Sequence, residues 1–333
     1  MILAGDVGGT KVNLALCEVA GRRVKVQSQK RYASTQFDGL RQILETYFLD
    51  TGTSPNDVSA VCLGVPGPIV DGKCQTVNLP WVIEERQLTA IFSDAKVKLL
   101  NDLEAMAHGL PALSIGEGLS VLREGPNVDA NRGLIAPGTG LGEAILFWNG
   151  HTHLVSPSEG GHCDFGPQDE EQIELLKWLW PRHKHASWEH VASGPAIARL
   201  YRFLDETGRE SPPSELVEEL SGPGVDPSPI IGRYAIAGKY AICVRTMDLW
   251  MFCLGAEAGN LALKTMSRGG VYIGGGVVPN VLELFKRPAF FDGFGSKGRM
   301  SEMIRSVPIY AVTDQHAALY GAAIVGDSLT SSQ

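Results

Sequence analysis

Hydrophobic and polar positions follow two rhythms along this chain. In Lys11–Glu18, Val12, Leu14 and Leu16 fall on one side of an extended backbone, a period of two that predicts a strand. A short apolar run, Ile2–Val7, precedes it and ends in Gly8-Gly9, and Val24–Tyr32 reads as a third antiparallel strand. Within Phe37–Leu49 the apolar residues Leu40, Ile43, Leu44 and Phe48 recur at helical spacing. Val58–Leu63 and Val97–Leu100 read as buried strands. The second runs straight into a helix predicted over Asp102–Gly109, with Gly109 as its C-cap.

The pattern pauses over Leu110–Gly118, at Gly-Leu-Pro and Gly-Glu-Gly, and a lobe boundary is expected there. Beyond it, Gly133–Ala136 is an apolar strand ending at Gly-Thr-Gly, and Glu143–Trp148 reads as the next strand. Helices are expected over Glu171–Trp180 and Gly194–Leu204, and Ile231–Met266 reads as a long helical region. Glu210–Ser228 is acidic and rich in Pro, Gly and Ser, and reads as a surface excursion. Gly270–Gly274 and Pro308–Val312 are strands, Gln315–Val325 a helix of small residues, and Asp327–Gln333 a frayed polar tail. Strand, glycine turn and strand occur at Ile2–Cys17 and again at Gly133–Phe147. This repetition predicts an α/β protein of two similar lobes with mixed sheets around a cleft. One lobe spans residues 1–112 with the returning C-terminal helix 315–333, and the other residues 113–314.

Composition narrows the field of functions. The chain has 333 residues, 44% hydrophobic and 20% charged, which is ordinary for a globular protein of two lobes. A net charge of -8, with no Lys/Arg-rich run, argues against nucleic acid or an anionic membrane as partner. The most apolar stretch, Ala241–Leu263, carries Arg245, Asp248 and Glu257, so it predicts a buried helix and not a membrane span. The start MILAGDVGG has neither a basic region nor a long apolar one, and no signal peptide is expected. Six cysteines without CxxC spacing read as reduced, buried thiols of a cytoplasmic protein.

Three glycine-rich turns follow expected strands: Asp6-Val7-Gly8-Gly9-Thr10, Gly138-Thr139-Gly140-Leu141-Gly142 and Gly274-Gly275-Gly276. Glycine lets a phosphate approach backbone amides closely, and Thr10 and Thr139 add hydroxyl donors. No stretch fits a Walker A loop. The run Gly138-x-Gly140-x-Gly142 imitates a dinucleotide fingerprint, but Ala144–Trp148 after it reads as strand where that fingerprint needs a helix. Each turn taken singly is explained by chain reversal; three in order, one carrying Asp6, suggest phosphate cradles at hairpin tips.

Candidate acid–base chemistry sits at Asn101-Asp102, between a strand end and a helix. Asp102 alone is explained as an N-cap, worth about 1 kcal/mol. A sugar hydroxyl attacking a phosphoryl group also needs a carboxylate to accept its proton. Ser158-Glu159-Gly160-Gly161-His162 offers acceptors and a switchable donor, the groups a polyol requires; His162 alone is equally well a structural histidine, and Glu189 a solvated carboxylate at a helix start.

At these residues the chain resembles the bacterial glucokinases of the hexokinase/actin-like ATPase superfamily, along nearly its whole length. GDVGGTK resembles the first phosphate motif, LLNDLEAMAHG the catalytic-aspartate segment, APGTGLGEA the second phosphate motif, SEGGHCDFGP and WEHVASGPAIARLY the sugar-site segments, and YIGGGVVPN the adenosine motif. The resemblance implies actin-like, ribonuclease H-like lobes and ATP-dependent phosphorylation of glucose at its 6-hydroxyl, the first step of glycolysis. It implies Asp102 as general base and Asn101, Glu159, His162 and Glu189 as sugar ligands. Asp6 would orient hydrated Mg²⁺; Gly8, Gly9 and Thr10 would face phosphate; Gly138, Thr139 and Gly140 would grip the β- and γ-phosphates. Gly274, Gly275 and Gly276 would pack on the adenosine. The resemblance allows a homodimer. The zinc loop of the related repressor and kinase family is missing after Gly161-His162-Cys163, so no structural zinc is expected. Another hexose as substrate, or a sugar-sensing protein without catalysis, are the alternative readings.

Overall fold

The computed structural model describes residues 1–76, 79–92 and 95–331. The chain divides into two compact units. The first comprises Met1–Leu119, Val155–Pro157 and Asp314–Gln333, and the second Ser120–Leu154 and Ser158–Thr313.

The first unit is built on five strands in the order Arg23–Ala33, Lys11–Ala20, Ile2–Val7, Ala60–Val65, Lys96–Asn101. The first three are antiparallel and the last three parallel. Alternation decides what covers each face. Leu3, Leu14 and Leu16 turn one way, into a core with Ile43, Leu44, Tyr47 and Phe48 of the helix Leu40–Thr51. Ala4, Ala15 and Cys17 turn the other way, into a core of small residues with Ala105, Ala318, Ala322 and Ala323. Small side chains let two helices, Asp102–Gly109 and Ala317–Ser331, pack with their backbones nearly touching. A Cβ on Gly109 would lie 1.9 Å from the Ala317 carbonyl oxygen, and one on Gly321 would lie 1.7 Å from that of Ala105. Gly109 is therefore present for close approach. The expectation of a C-cap fails, because Leu110 follows as the cap and Gly109 keeps an ordinary φ of -80°.

In the second unit the strands Leu141–Trp148, Arg132–Pro137, Val271–Ile273 and Ile309–Val312 are neighbours in that order. The first pair is antiparallel and the others parallel. The helix Ala241–Thr265 crosses behind them and supplies Met247, Trp250, Leu254 and Leu261 to the core.

Several expectations are corrected. The long helical region over Ile231–Met266 resolves into two helices, Pro227–Ala237 and Ala241–Thr265, separated where Gly238 adopts a left-handed φ of 65°. The excursion Glu210–Ser228 lies at the surface as expected, and it also holds the helix Ser214–Leu220 and the start of the next. Its prolines sit where helices tolerate them: Pro213 caps the first and Pro227 occupies the first turn of the second. Asp327 onward continues the last helix to Ser331, and the final two residues of the expected tail lie outside the described residues. Five cysteines are buried as expected, but Cys163 is exposed, because the loop that carries it turns its polar residues outward. Among the described residues, no helix is long and apolar enough to cross a membrane.

The helix contact in the first unit generates a prediction. Gly109→Ala should destabilise the protein by about 1–3 kcal/mol, the usual range for overpacking. Urea unfolding should show a lower midpoint at unchanged m-value; an unchanged midpoint would mean the two helices are free to separate.

Candidate functional site

In the first unit, three parallel strands bring their carboxyl ends together. Asp6 pairs with Gly64, Gly64 with Leu100, and Val65 with Asn101. This register places Asp6 and the Asn101-Asp102 pair at one end of the sheet, where open α/β sheets bind ligands. The Gly8–Lys11 turn is closed by the Gly8 N–H donating to the Lys11 carbonyl at 2.8 Å. The Ser34 hydroxyl donates to the Gly8 carbonyl at 2.8 Å. Thr10 is exposed at the tip.

Asp6 is only partly satisfied. Its Oδ2 accepts from Asn13 Nδ2 at 3.3 Å. Burial pushes its carboxyl above the ordinary value, while Asn13, Lys11, His316 and Arg31 pull it back. A cation near Asp6 would complete that compensation, and among the described residues no group of three metal-ligating side chains supplies a closed cage. The Asp6 carboxylate fits a hydrated Mg²⁺. His316 is a neighbour that the sequence reading missed. Its N–H donates to Asp314 Oδ1 at 2.8 Å, and its Nδ1 lies 2.9 Å from the same oxygen.

The capping role belongs to Asn101 and not to Asp102. Asn101 Oδ1 accepts from the Leu103 N–H at 3.0 Å, and Glu104 returns the bond by accepting from the Asn101 N–H at 3.3 Å. Asn101 Nδ2 donates to the Gly67 carbonyl at 3.3 Å, which leaves one amide hydrogen for a ligand. Asp102 follows as the first helical residue, with its Oδ1 2.9 Å from the Leu103 nitrogen. The Leu103 N–H thus donates to both side chains, and Asp102 shares in the helix terminus that Asn101 caps.

In the second unit the second glycine turn joins two antiparallel strands, as a hairpin tip should. The Gly138 N–H donates to the Gly140 carbonyl at 2.9 Å. Glu189 reaches this turn from the start of the short helix Glu189–Ala192, and its Oε2 accepts from the Leu141 N–H at 3.0 Å. A Cβ on Gly140 would lie 2.5 Å from that same Oε2. His190 fixes the helix start: its Nδ1 accepts from the Ser187 N–H at 3.1 Å and from the Ser187 hydroxyl at 2.8 Å. Burial, with His183 and Arg199 nearby, pushes the His190 imidazole down to about 4, so it stays neutral and can accept both bonds. No apolar or charge pattern around His190 marked this role in the sequence.

The loop Ser158–His162 lies along the same hairpin. A Cβ on Gly161 would meet the Leu141 carbonyl oxygen at 2.0 Å. Glu159 and His162 are exposed on the loop, with His162 Nε2 3.8 Å from Glu159 Oε2. The third glycine segment arrives from the neighbouring strand. The Gly274 N–H donates to the Ile135 carbonyl at 2.8 Å, and Gly275, at φ 86°, passes the Pro137 carbonyl where a Cβ would be 2.4 Å away. The turn Gly138–Gly140, Glu189, the loop bearing Glu159 and His162, and Gly274–Gly276 thus meet around one hairpin. The carboxylate of Glu189 is a backbone ligand as well as a candidate sugar ligand, which its sequence context did not reveal.

The Glucokinase family model matches residues 3–329. The chain belongs to the glucokinase family. A glucokinase of Trichormus variabilis is 35% identical over 97% of this chain and 98% of its own length. A glucokinase crystal structure from an Antarctic psychrotroph superposes with a TM-score of 0.81 at 29% identity, covering 98% of both chains. A ROK family glucokinase from Streptomyces griseus, solved with glucose and AMPPNP, shares the fold at a TM-score of 0.66 and 22% identity, over 98% of this chain and 99% of that one.

For this glucokinase-family chain the Glu189–Gly140 contact is testable. Gly140→Ala should drive the Glu189 carboxylate off the Leu141 N–H. The expected cost is on the order of a hundredfold in kcat/KM for glucose phosphorylation, with melting temperature nearly unchanged. Full activity would show that the carboxylate has no fixed place at this turn.

Proposed function

We propose that this chain transfers the γ-phosphoryl group of ATP to the 6-hydroxyl of glucose, as the entry step of glycolysis in the cytoplasm. The observation that carries the reading is the placement of Asp102, beside the cap residue Asn101 at the carboxyl end of the parallel strands.

Each residue has a role that its surroundings support. Asp102 accepts the proton of the attacking hydroxyl, and Asn101 offers its remaining amide hydrogen to a neighbouring one. Glu159, His162 and Glu189 hold further hydroxyls. Such groups discriminate among sugars because a wrong epimer leaves them unpaired. The turn Gly8–Thr10 faces phosphate. Gly138, Thr139 and Gly140 present amides and a hydroxyl to the β- and γ-phosphates, and Gly274–Gly276 lie along the adenosine. Asp6 would hold hydrated Mg²⁺, which would neutralise charge on the phosphates. Partners are confined to glucose and nucleotide, with no nucleic acid or membrane, and a homodimer is the proposed assembly.

The test is a coupled assay with ATP, Mg²⁺ and a panel of hexoses. Glucose 6-phosphate should form, and turnover of another hexose with glucose inert would transfer the assignment to that sugar. Asp102→Asn should lower kcat by roughly a hundredfold or more, the scale of a lost general base. Glucose affinity should change far less, since the amide keeps a hydrogen bond. Near-normal kcat in this variant would overturn the role of Asp102.

A further inference from the structure

Beneath the loop that carries Glu159 and His162 lies a buried polar group that the chemistry above does not use. Glu143, on the strand Leu141–Trp148, is 2% exposed, and Glu257, on the helix Ala241–Thr265, is 0% exposed. Glu257 is well supplied with partners: Asn260 Nδ2 donates to it at 2.8 Å and Lys264 Nζ at 3.1 Å. Glu143 has fewer: its carboxyl shares a hydrogen bond with Glu257 when protonated, and no other side chain or backbone group satisfies its Oε1. Its Oε2 occupies the one direction in which Gly160 could carry a side chain, since a Cβ there would lie 2.0 Å away. With the Gly161–Leu141 contact alongside, the loop backbone rests on this strand through one carboxyl and one carbonyl.

We propose that Glu143 is a positioning residue for the sugar loop: its carboxyl, packed under Gly160 and against Glu257, sets the height of the turn that presents Glu159 and His162. This rests on the reading of that loop as the glucose-binding loop. Two buried carboxyls side by side cannot both ionise cheaply. Asn260 and Lys264 keep the charge on Glu257, so the shared proton stays on Glu143. Burial, and then the Glu257 charge, push Glu143 up to about 8. The other charged groups in the cluster are Lys264, which faces both carboxyls, and Lys297, which donates to the Ala256 carbonyl and to Asn260 Oδ1, each at 2.8 Å. Cys163, from the loop itself, faces Lys264. When Glu143 ionises, a second buried negative charge lies directly under Gly160 and must draw in water, which lifts the loop.

Steady-state kinetics of the full chain from about pH 6.5 to about 9.5 tests this. The KM for glucose should rise roughly threefold or more above about pH 8, with the KM for ATP steady. Glu143→Gln, whose amide imitates the protonated acid, should keep the neutral-pH KM and lose the rise. Burial pushes Lys297 down to about 8, so it titrates in the same range. A rise that persists in Glu143→Gln therefore belongs to Lys297 and overturns the proposal, as does a flat glucose KM in the unsubstituted chain. Gly160→Ala, which presses a methyl group into the carboxyl, is a second arm. It should raise the glucose KM at every pH, and an unchanged KM in a folded variant also overturns it. Glu159→Gln distinguishes the underlying reading: if it leaves glucose KM untouched, the sugar-loop assignment itself has failed.

Discussion

Backbone-to-backbone approach without room for a Cβ is the constraint on which the second unit depends. The hairpin formed by Arg132–Pro137 and Leu141–Trp148 is the surface, and two glycine segments press onto it. Gly161 meets the Leu141 carbonyl, Gly160 the Glu143 carboxyl, and Gly275 the Pro137 carbonyl. Gly140, at the hairpin tip, leaves space for the Glu189 carboxylate to reach the Leu141 N–H. Side chains at these positions would hold the segments apart by a layer of atoms. Hydrogen-bond donors meant for phosphate, and carboxylates meant for sugar, would then be several ångströms from their places. Enzymes lose much of their rate to misplacements of that size.

The first unit solves a related problem with small residues instead of glycine turns. Its parallel strands end together, so a residue at each end is automatically near its neighbours. The helix that Asp102 opens is held by the helix Ala317–Ser331 across Gly109 and Gly321, so its start cannot drift. Asn101 takes the cap, and with Glu104 it satisfies the helix terminus through a reciprocal pair of bonds. Asp6 differs, because burial disfavours its charge and its one side-chain hydrogen bond is long.

Much of this was legible in the chain itself. A short apolar run located Ile2–Val7 and period-two alternation the strand over Lys11–Glu18, and the strand character of Ala144–Trp148 excluded a dinucleotide fold because a helix could not begin there. Other features were hidden for physical reasons. Helix breaks depend on one φ: Gly238 at 65° splits what composition reads as continuous. Proline-rich stretches look irregular, yet Pro213 and Pro227 sit where a missing N–H costs nothing. Gly109 looked like a terminator, and its purpose lies in a helix some two hundred residues later in the chain. Glu143 passed unnoticed because an acidic residue in an alternating strand looks solvent-facing, and only the fold buries it against Glu257. His190 and His316 act through short contacts that no periodicity announces.

The measurement that bears most directly on this account is a crystal structure of the chain with glucose and a non-hydrolysable ATP analogue. The account predicts sugar density within hydrogen-bonding distance of Glu159 and His162, with the 6-hydroxyl against the Asp102 carboxylate. It predicts the terminal phosphates on the amides of Gly138–Gly140. Sugar bound away from Glu159 and His162, or phosphates clear of that turn, would contradict it.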